Sequence, residues 1–203
     1  MKTFWEEFKT PYQMGEQKHR MFALESMGKN GITSILDVGC GTGPIYEIIK
    51  NHKMPFKYKG TDYSESMIKV CKDLFPEGDF EVQDMRDLKE KDNSWECVLL
   101  LHSLDHTDDY KSSIKEATRV SSKYVYIALW RGLMDSGSHL NSVNRMGKKE
   151  DEPDFEDTHL QEYSMGVLKE EFDKNKLELV EVINDERINE QGHCYTLFIL
   201  KKL

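Results

Sequence analysis

One stretch, SILDVGCGTGPIYEIIK (residues 34–50), constrains this chain more than any other. An apolar strand runs into three glycines, Gly39, Gly41 and Gly43, and then straight into a helix with Pro44 in its first turn. A strand that feeds a helix through a glycine-rich turn opens a βαβ unit and offers a ligand site at the helix N-terminus. Dinucleotide-binding chains space these glycines as GxGxxG and seat a pyrophosphate on exposed N–H groups. Here the spacing is GxGxG, and the third-glycine position is Pro44, which has no N–H to donate. Asp37 adds a negative charge just ahead of the turn. Both features disfavour a phosphate. They suit a cation, because a carboxylate pairs with an ammonium directly or through water while glycines let the backbone come close.

The rest of the chain repeats strand, turn, helix. Residues 56–62 place Phe56, Tyr58 and Gly60 on one face and read as a second strand. Ser64 is suited to cap a helix in which Met67, Val70, Cys71 and Leu74 share a stripe. Residues 80–83 form a short third strand, and 95–101 a nearly continuous apolar fourth, as expected of a strand covered on both faces. A helix starting at Thr107 or Asp108 turns Tyr110, Ile114, Ala117 and Val120 inward, and 124–130 is a fifth strand. The alternation pauses over 131–161, which holds the acidic run KEDEPDFED. A helix resumes at Ser164 with Met165, Leu168 and Phe172 on its apolar side. The last two strands, 177–183 and 194–200, are joined by NDERINEQG, too short for a crossover helix, so they pair antiparallel. The expected fold is α/β: a three-layer αβα sandwich around a doubly wound, mostly parallel seven-stranded sheet with an antiparallel C-terminal hairpin. Ligands of such sheets bind outside the carboxyl ends of the central strands.

At 203 residues the chain suits one domain, 1–203. Residues 1–30 are expected to form a helical cap, since Phe4, Phe8 and Tyr12 fall at helical spacing with Trp5 alongside. Residues 131–163 are expected to form a lid over the substrate. With 28 Lys and Arg against 37 Asp and Glu, the net charge of -9 repels a phosphate backbone and disfavours nucleic acid as a partner. No apolar run has the length of a membrane span, and the N-terminus lacks the apolar core of a signal peptide. The expectation is a cytoplasmic monomer or homodimer without membrane contact. Cys40, Cys71, Cys97 and Cys194 are scattered, form no CxxC pair and read as reduced thiols, so no metal site is expected.

The segment LDVGCGTG resembles the glycine-rich motif of the class I S-adenosylmethionine-dependent methyltransferases, small single-domain type. The resemblance continues in order through GTDYSESMIKVCK, FEVQDMRDL, WECVLLLHSLDHTDDYKSSIKEATRV and SSKYVYIALW, covering about 31 to 130. It implies a Rossmann-like methyltransferase fold and S-adenosyl-L-methionine as cofactor, with S-adenosyl-L-homocysteine as product. That cofactor carries an ammonium, a sulfonium and an adenosine but no phosphate, which agrees with the turn. By the same resemblance, Asp37, Gly39, Cys40, Gly41 and Gly43 line its methionine end, with Cys40 a small spacer. Asp62 accepts the ribose hydroxyls, Tyr63 and Met67 pack on the adenine, and Asp84, with Met85 beside it, receives the adenine amino group. Leu101 and His102 meet the cofactor amine through backbone carbonyls. A helical cap packed over the cofactor mouth would, independently of the resemblance, bring Tyr12 and Arg20 to the cofactor carboxylate.

Methyl transfer from a sulfonium is an in-line displacement with a neutral leaving group, so alignment matters most and a base is needed only when the nucleophile must lose a proton. His106 is the first candidate for that base and His102 the second, both in HSLDHTDD with Asp105 between them. Trp130, Arg131, His139 and Arg145 are candidate substrate contacts, with Asn141 and His159 in the same segment. The Asn/Asp-Pro-Pro-Tyr segment of DNA amino-methylating enzymes is absent, its place holding LHSLDH, and no proline precedes a cysteine. The favoured acceptor is therefore a small molecule with an O or N nucleophile. Alternatives are a protein or tRNA acceptor, a non-catalytic S-adenosylmethionine-binding subunit, and a nicotinamide dehydrogenase, the last weakened by Pro44.

Overall fold

The computed structural model describes residues 18–129, 133–134, 141–144, 159–185 and 195–203. Ten strands and five helices appear among them. Helix α1 spans Lys18–Lys29, β1 Ser34–Val38, α2 Pro44–Asn51, β2 Lys57–Asp62, α3 Glu65–Leu74, β3 Phe80–Val82 and β4 Trp95–Leu101. A 3₁₀ turn at Leu104–His106 leads to α4 (Tyr110–Val120) and β5 (Ser121–Leu129). Then follow β6 (Leu133–Met134), β7 (Asn141–Asn144), β8 (His159–Ser164), α5 (Met165–Lys174), β9 (Leu177–Asp185) and β10 (Tyr195–Lys202).

The main sheet has seven strands in the order β3-β2-β1-β4-β5-β10-β9. Strands β1 to β5 pair parallel, and β10 runs antiparallel to both β5 and β9, which is the expected doubly wound sheet with its hairpin. Order reverses between β1 and β4, so the crevice of such a sheet lies at their carboxyl ends. A second sheet, β6-β8-β7, lies within the expected lid.

Alternation along the strands sorts the core into two layers. Ile35, Cys97, Leu99, Leu101, Tyr126 and Ala128 pack with α1, α2 and α3, while Leu36, Val38, Val98, Leu100, Val125 and Ile127 pack with α4 and α5. Helix α1 docks by Ala23, Leu24 and Met27, and Tyr126 pins it: the Tyr126 hydroxyl hydrogen-bonds Ser26 at 3.0 Å and accepts from Asn30 at 3.1 Å.

Several boundaries differ from expectation for local reasons. Helix α4 starts later than Thr107 or Asp108, because Asp109 is the cap and accepts the Ser112 N–H at 3.1 Å. In α3, Leu74 is exposed and Ile68 joins the buried stripe, while Phe75 past the helix end fills the core instead. Ser64 and Ser164 cap α3 and α5 as side-chain acceptors. Strand β5 begins at Ser121, directly after α4, and β10 begins at Tyr195. Residues Phe4, Trp5, Phe8, Tyr12, Trp130, Arg131, His139, Arg145, Cys194 and the run 149–157 lie outside the described residues; Asn141 and His159 are placed only as the ends of β7 and β8.

Candidate functional site

The glycine turn after β1 is held from both sides. Thr61 at the end of β2 accepts the N–H groups of Gly39 (2.7 Å) and Cys40 (2.9 Å), and Gly41 donates to Asp62 Oδ2 at 2.9 Å. All three motif glycines have positive φ: 79°, 55° and 83° at Gly39, Gly41 and Gly43. Gly39 also lies against β4's exit, where a Cβ would fall 2.2 Å from the Ser103 Cβ; the Ser103 hydroxyl in turn donates to the Val38 carbonyl at 2.7 Å. At Gly41, by contrast, a Cβ would meet nothing within 4 Å, so this face of the turn is open. Cys40 is buried, as its spacer role requires, and Cys71 of α3 donates its S–H to the Gly41 carbonyl at 3.1 Å. A hydrogen bond with Cys71 and then burial push the Cys40 thiol well above its ordinary range, which leaves it protonated.

Two buried carboxyls flank the turn. Asp37, near the end of β1, accepts the Tyr58 hydroxyl on Oδ2 at 2.7 Å. Burial raises its pKa to about 6, against the lowering pull of that bond and of the Arg20 charge. Asp62 accepts Gly41 N–H on one oxygen and Ser64 N–H (3.0 Å) on the other, and burial raises it too. A carboxylate has about four acceptor positions, so both oxygens retain capacity for ribose hydroxyls. Beside Asp62, Tyr63 is 72% exposed, an aromatic face in solvent where the resemblance puts an adenine. Met67 is buried in the first turn of α3. Asp84 also pairs locally: Arg86 Nη2 and Nε donate to it at 2.7 and 3.0 Å, and Arg86 also reaches Asp108. Met85 packs against the α4/α5 layer.

The exit of β4 carries the feature the sequence did not announce. Strand alternation would send the side chain after Leu101 toward α4 and α5. His102 instead adopts φ 60°, uncommon for a residue with a Cβ, and its Nε2 meets Nε2 of His19 from α1 at 2.7 Å. Both rings are buried and stand edge to face. Burial first, then the charges of His19, Arg20 and His106, hold His102 well below the ordinary histidine pKa, so it is neutral at pH 7. Arg20, next to His19, is buried as well, and its charge is felt at Asp37. His106 ends the 3₁₀ turn, half-buried. Tyr163 of β8 fastens the second sheet to this turn by donating to the Leu104 carbonyl at 2.8 Å.

Hydrogen bonds and charge thus join Asp37 to Tyr58 and Arg20, Asp62 to Gly41, and His102 to His19 at the carboxyl ends of β1, β2 and β4. His19, Tyr58 and Ser103 are partners of these candidate residues that sequence reasoning missed. Tyr58 was legible only as a strand residue, and His19 only as a neighbour of Arg20. Among the described residues, no three His, Cys, Asp or Glu side chains are arranged to hold a metal, and no helix is long and apolar enough to cross a membrane.

Residues 36–129 match the family described as a methyltransferase domain. The chain is similar to the ajmaline N-methyltransferase of Rauvolfia serpentina, 28% identical over 95 residues (44% of this chain, 32% of that protein). It is also similar to the demethylmenaquinone methyltransferase of Thermotoga maritima, 24% identical over 105 residues (52% of this chain, 46% of that protein). The chain spans less than half the length of the curated relatives it matches. Among solved structures, magnesium protoporphyrin IX methyltransferase from Synechocystis PCC 6803 with bound S-adenosylhomocysteine superposes with TM-score 0.69 at 12% identity, covering 100% of this chain and 89% of that one, a likeness of fold. The matched stretch, a little under half of the chain, holds the glycine turn, Asp62 and the exit of β4, and the fold around it is the Rossmann-like methyltransferase fold.

Proposed function

We propose that this protein transfers a methyl group from S-adenosylmethionine to a small molecule with an O or N nucleophile. The observation that carries the reading is the open face of the turn at Gly41, bordered by the buried carboxylates Asp37 and Asp62 and by the exposed ring of Tyr63. Those residues fit the cofactor end to end: Asp37 its ammonium, Arg20 its carboxylate, Asp62 its ribose and Tyr63 its adenine. When bound, the cofactor supplies an electrophilic methyl on a cationic sulfur.

The chain's own part is alignment and proton handling. The positive-φ turns at Gly39 and His102 form the two walls of the cofactor crevice in this reading. His102, neutral at pH 7, and His106 are the groups in this reading that take a proton from an acceptor hydroxyl or amine. Residues 1–203 then act as one domain in the cytoplasm, with 1–30 as cap and 131–163 as lid; Trp130, Arg131, His139 and Arg145 are the lid-side contacts of the acceptor. The small-acceptor reading is supported by the net charge of -9 and by the small-molecule names of the relatives above. Isothermal calorimetry with S-adenosylmethionine, S-adenosylhomocysteine and NAD tests the class. Binding of both sulfur compounds and not of NAD is the expected result. NAD binding without either sulfur compound reverses the assignment.

A further inference from the structure

The carboxylate proposed to meet the cofactor ammonium has a difficult position. Asp37 is buried, and burial alone favours its neutral form, which cannot pair with a cation. Something must keep it ionised. In the β1/β2 register, Ile35 stands beside Tyr58 and Asp37 beside Gly60, so Tyr58 lies on the same face as Asp37, one step upstream on the neighbouring strand. Gly60 presents no side chain there. A Cβ on it would crowd the Phe80 ring at 2.8 Å and Cys40 Sγ at 3.0 Å. The Tyr58 ring is wedged against Tyr46 (5.2 Å between centroids) and Phe80 (6.0 Å), which fixes its hydroxyl under the carboxyl at 2.7 Å.

We propose that Tyr58 is a positioning residue of the cofactor site: its hydroxyl donates permanently to one Asp37 oxygen, holds that carboxylate anionic and leaves the other oxygen for the cofactor's ammonium. The donor is dependable, since burial and the Asp37 charge raise the Tyr58 pKa well above 10 and keep the phenol protonated. Among the described residues, the other charges acting on Asp37 are Arg20 from α1, which favours the anion, and Asp62 at the end of β2, which opposes it; the Cys40 thiol stays neutral. The inference rests on the reading that Asp37 holds the ammonium.

The consequence is a pH signature. Asp37 must be ionised to bind, so affinity falls as pH drops through its midpoint near 6. Tyr58→Phe keeps the ring contacts and removes the hydroxyl, and the midpoint then moves up. For an upward shift of about one pH unit, the variant binds about fivefold more weakly than wild type at pH 6, about tenfold at pH 5 and nearly equally at pH 8. Calorimetry of S-adenosylhomocysteine from pH 5 to 8, taken as the ratio of variant to wild type, removes the titration of the ligand and of Asp62. 5′-Methylthioadenosine, which lacks the amino-acid end, should give a flat ratio. A Tyr58→Phe loss that is the same at every pH overturns the proposal. Asp37→Asn separates the two layers: a lost pH dependence supports the Asp37 reading, whereas wild-type affinity and profile overturn that reading and the proposal with it. Wild-type protein labelled with ¹³C-aspartate gives an independent measure, the Asp37 carboxyl titrating near pH 6; a midpoint above pH 8 overturns the proposal, because the hydroxyl then fails to keep Asp37 ionised.

Discussion

Two alanine substitutions two residues apart in the same turn should have opposite consequences. Gly39 and Gly41 both have positive φ, so each Gly→Ala change carries a backbone cost of about 1–2 kcal/mol, offset by about 0.4–1 kcal/mol from the stiffer unfolded chain. The surroundings then separate them. At Gly39 the new Cβ sits 2.2 Å from the Ser103 Cβ, inside any tolerable contact, and Ser103 is itself tied to Val38. Forcing those walls apart adds about 1–3 kcal/mol, the usual cost of overpacking. At about 2–4 °C per kcal/mol for a chain of this size, Gly39→Ala should lower the melting temperature by roughly 5–15 °C. Gly41→Ala meets open space and should lose only a few degrees. In cofactor binding the order reverses, because the Gly41 methyl projects into the space assigned to the ligand; its affinity for S-adenosylhomocysteine should fall at least about tenfold, roughly 1.4 kcal/mol. Differential scanning fluorimetry and calorimetry on both variants decide the matter. Equal thermal losses, or a Gly41→Ala protein that binds like wild type, would refute the assignment of that open face to the cofactor.

Other consequences are as specific. Asp62→Ala should weaken S-adenosylhomocysteine binding by about 1–3 kcal/mol and also cost stability, since the Gly41 and Ser64 N–H groups lose their acceptor; unchanged affinity by calorimetry would place the ribose elsewhere. His102 has a depressed folded pKa, so its neutral burial contributes stability that is full above pH 6.5 and declines as pH falls and the unfolded chain takes up the proton. His102→Gln should therefore flatten the acid side of a melting-temperature profile between pH 5 and 7, and an unchanged slope there would contradict the buried neutral ring. Asp37 works in the opposite sense, because its folded pKa near 6 exceeds the model-peptide 3.8: it destabilises the ligand-free fold fully above pH 6 and progressively less below. Asp37→Asn should stabilise the ligand-free protein at pH 8, by up to about 3 kcal/mol, a gain that shrinks toward pH 4 in thermal or urea unfolding.

The strand and helix order was legible because each strand carries its own signal. Trp95–Leu101 is apolar throughout because helices cover both faces, and the short link before β10 forbids a crossover. The glycine turn was legible because positive φ at three positions leaves no other residue type comfortable. Contacts between distant segments were not. Nothing in the local pattern tells that Tyr58, one alternation point among several, reaches a carboxyl 21 residues away, or that His102 leaves the strand in a left-handed conformation to meet His19, 83 residues earlier. The same holds for Asp84, whose bidentate pair with the guanidinium two residues on is set by rotamers rather than by sequence spacing.

The two ends of the sheet treat charge differently. Near the strand starts, charges stand in pairs at the surface: Lys123 meets Glu96 at 2.6 Å, and Arg119 meets Glu116 and Asp92 at 2.7 Å each. Each pair has partial access to water, so neither partner carries a large desolvation penalty. At the carboxyl ends, Asp37, Asp62, Arg20, His19 and His102 are all buried. There burial outweighs the partners: it is the largest cause of shift at Asp37, Asp62 and His102 alike, raising the acids and lowering the base. A fold selected for stability alone would replace such groups with apolar side chains of similar volume. Their concentration at one end is a standing cost of the ligand-free protein, and a ligand that brings a positive charge to Asp37 would recover part of it as affinity. Binding and stability are then coupled through the same few atoms, which is why substitutions that relax the ligand-free fold, such as Asp37→Asn, are the ones expected to cost the cofactor.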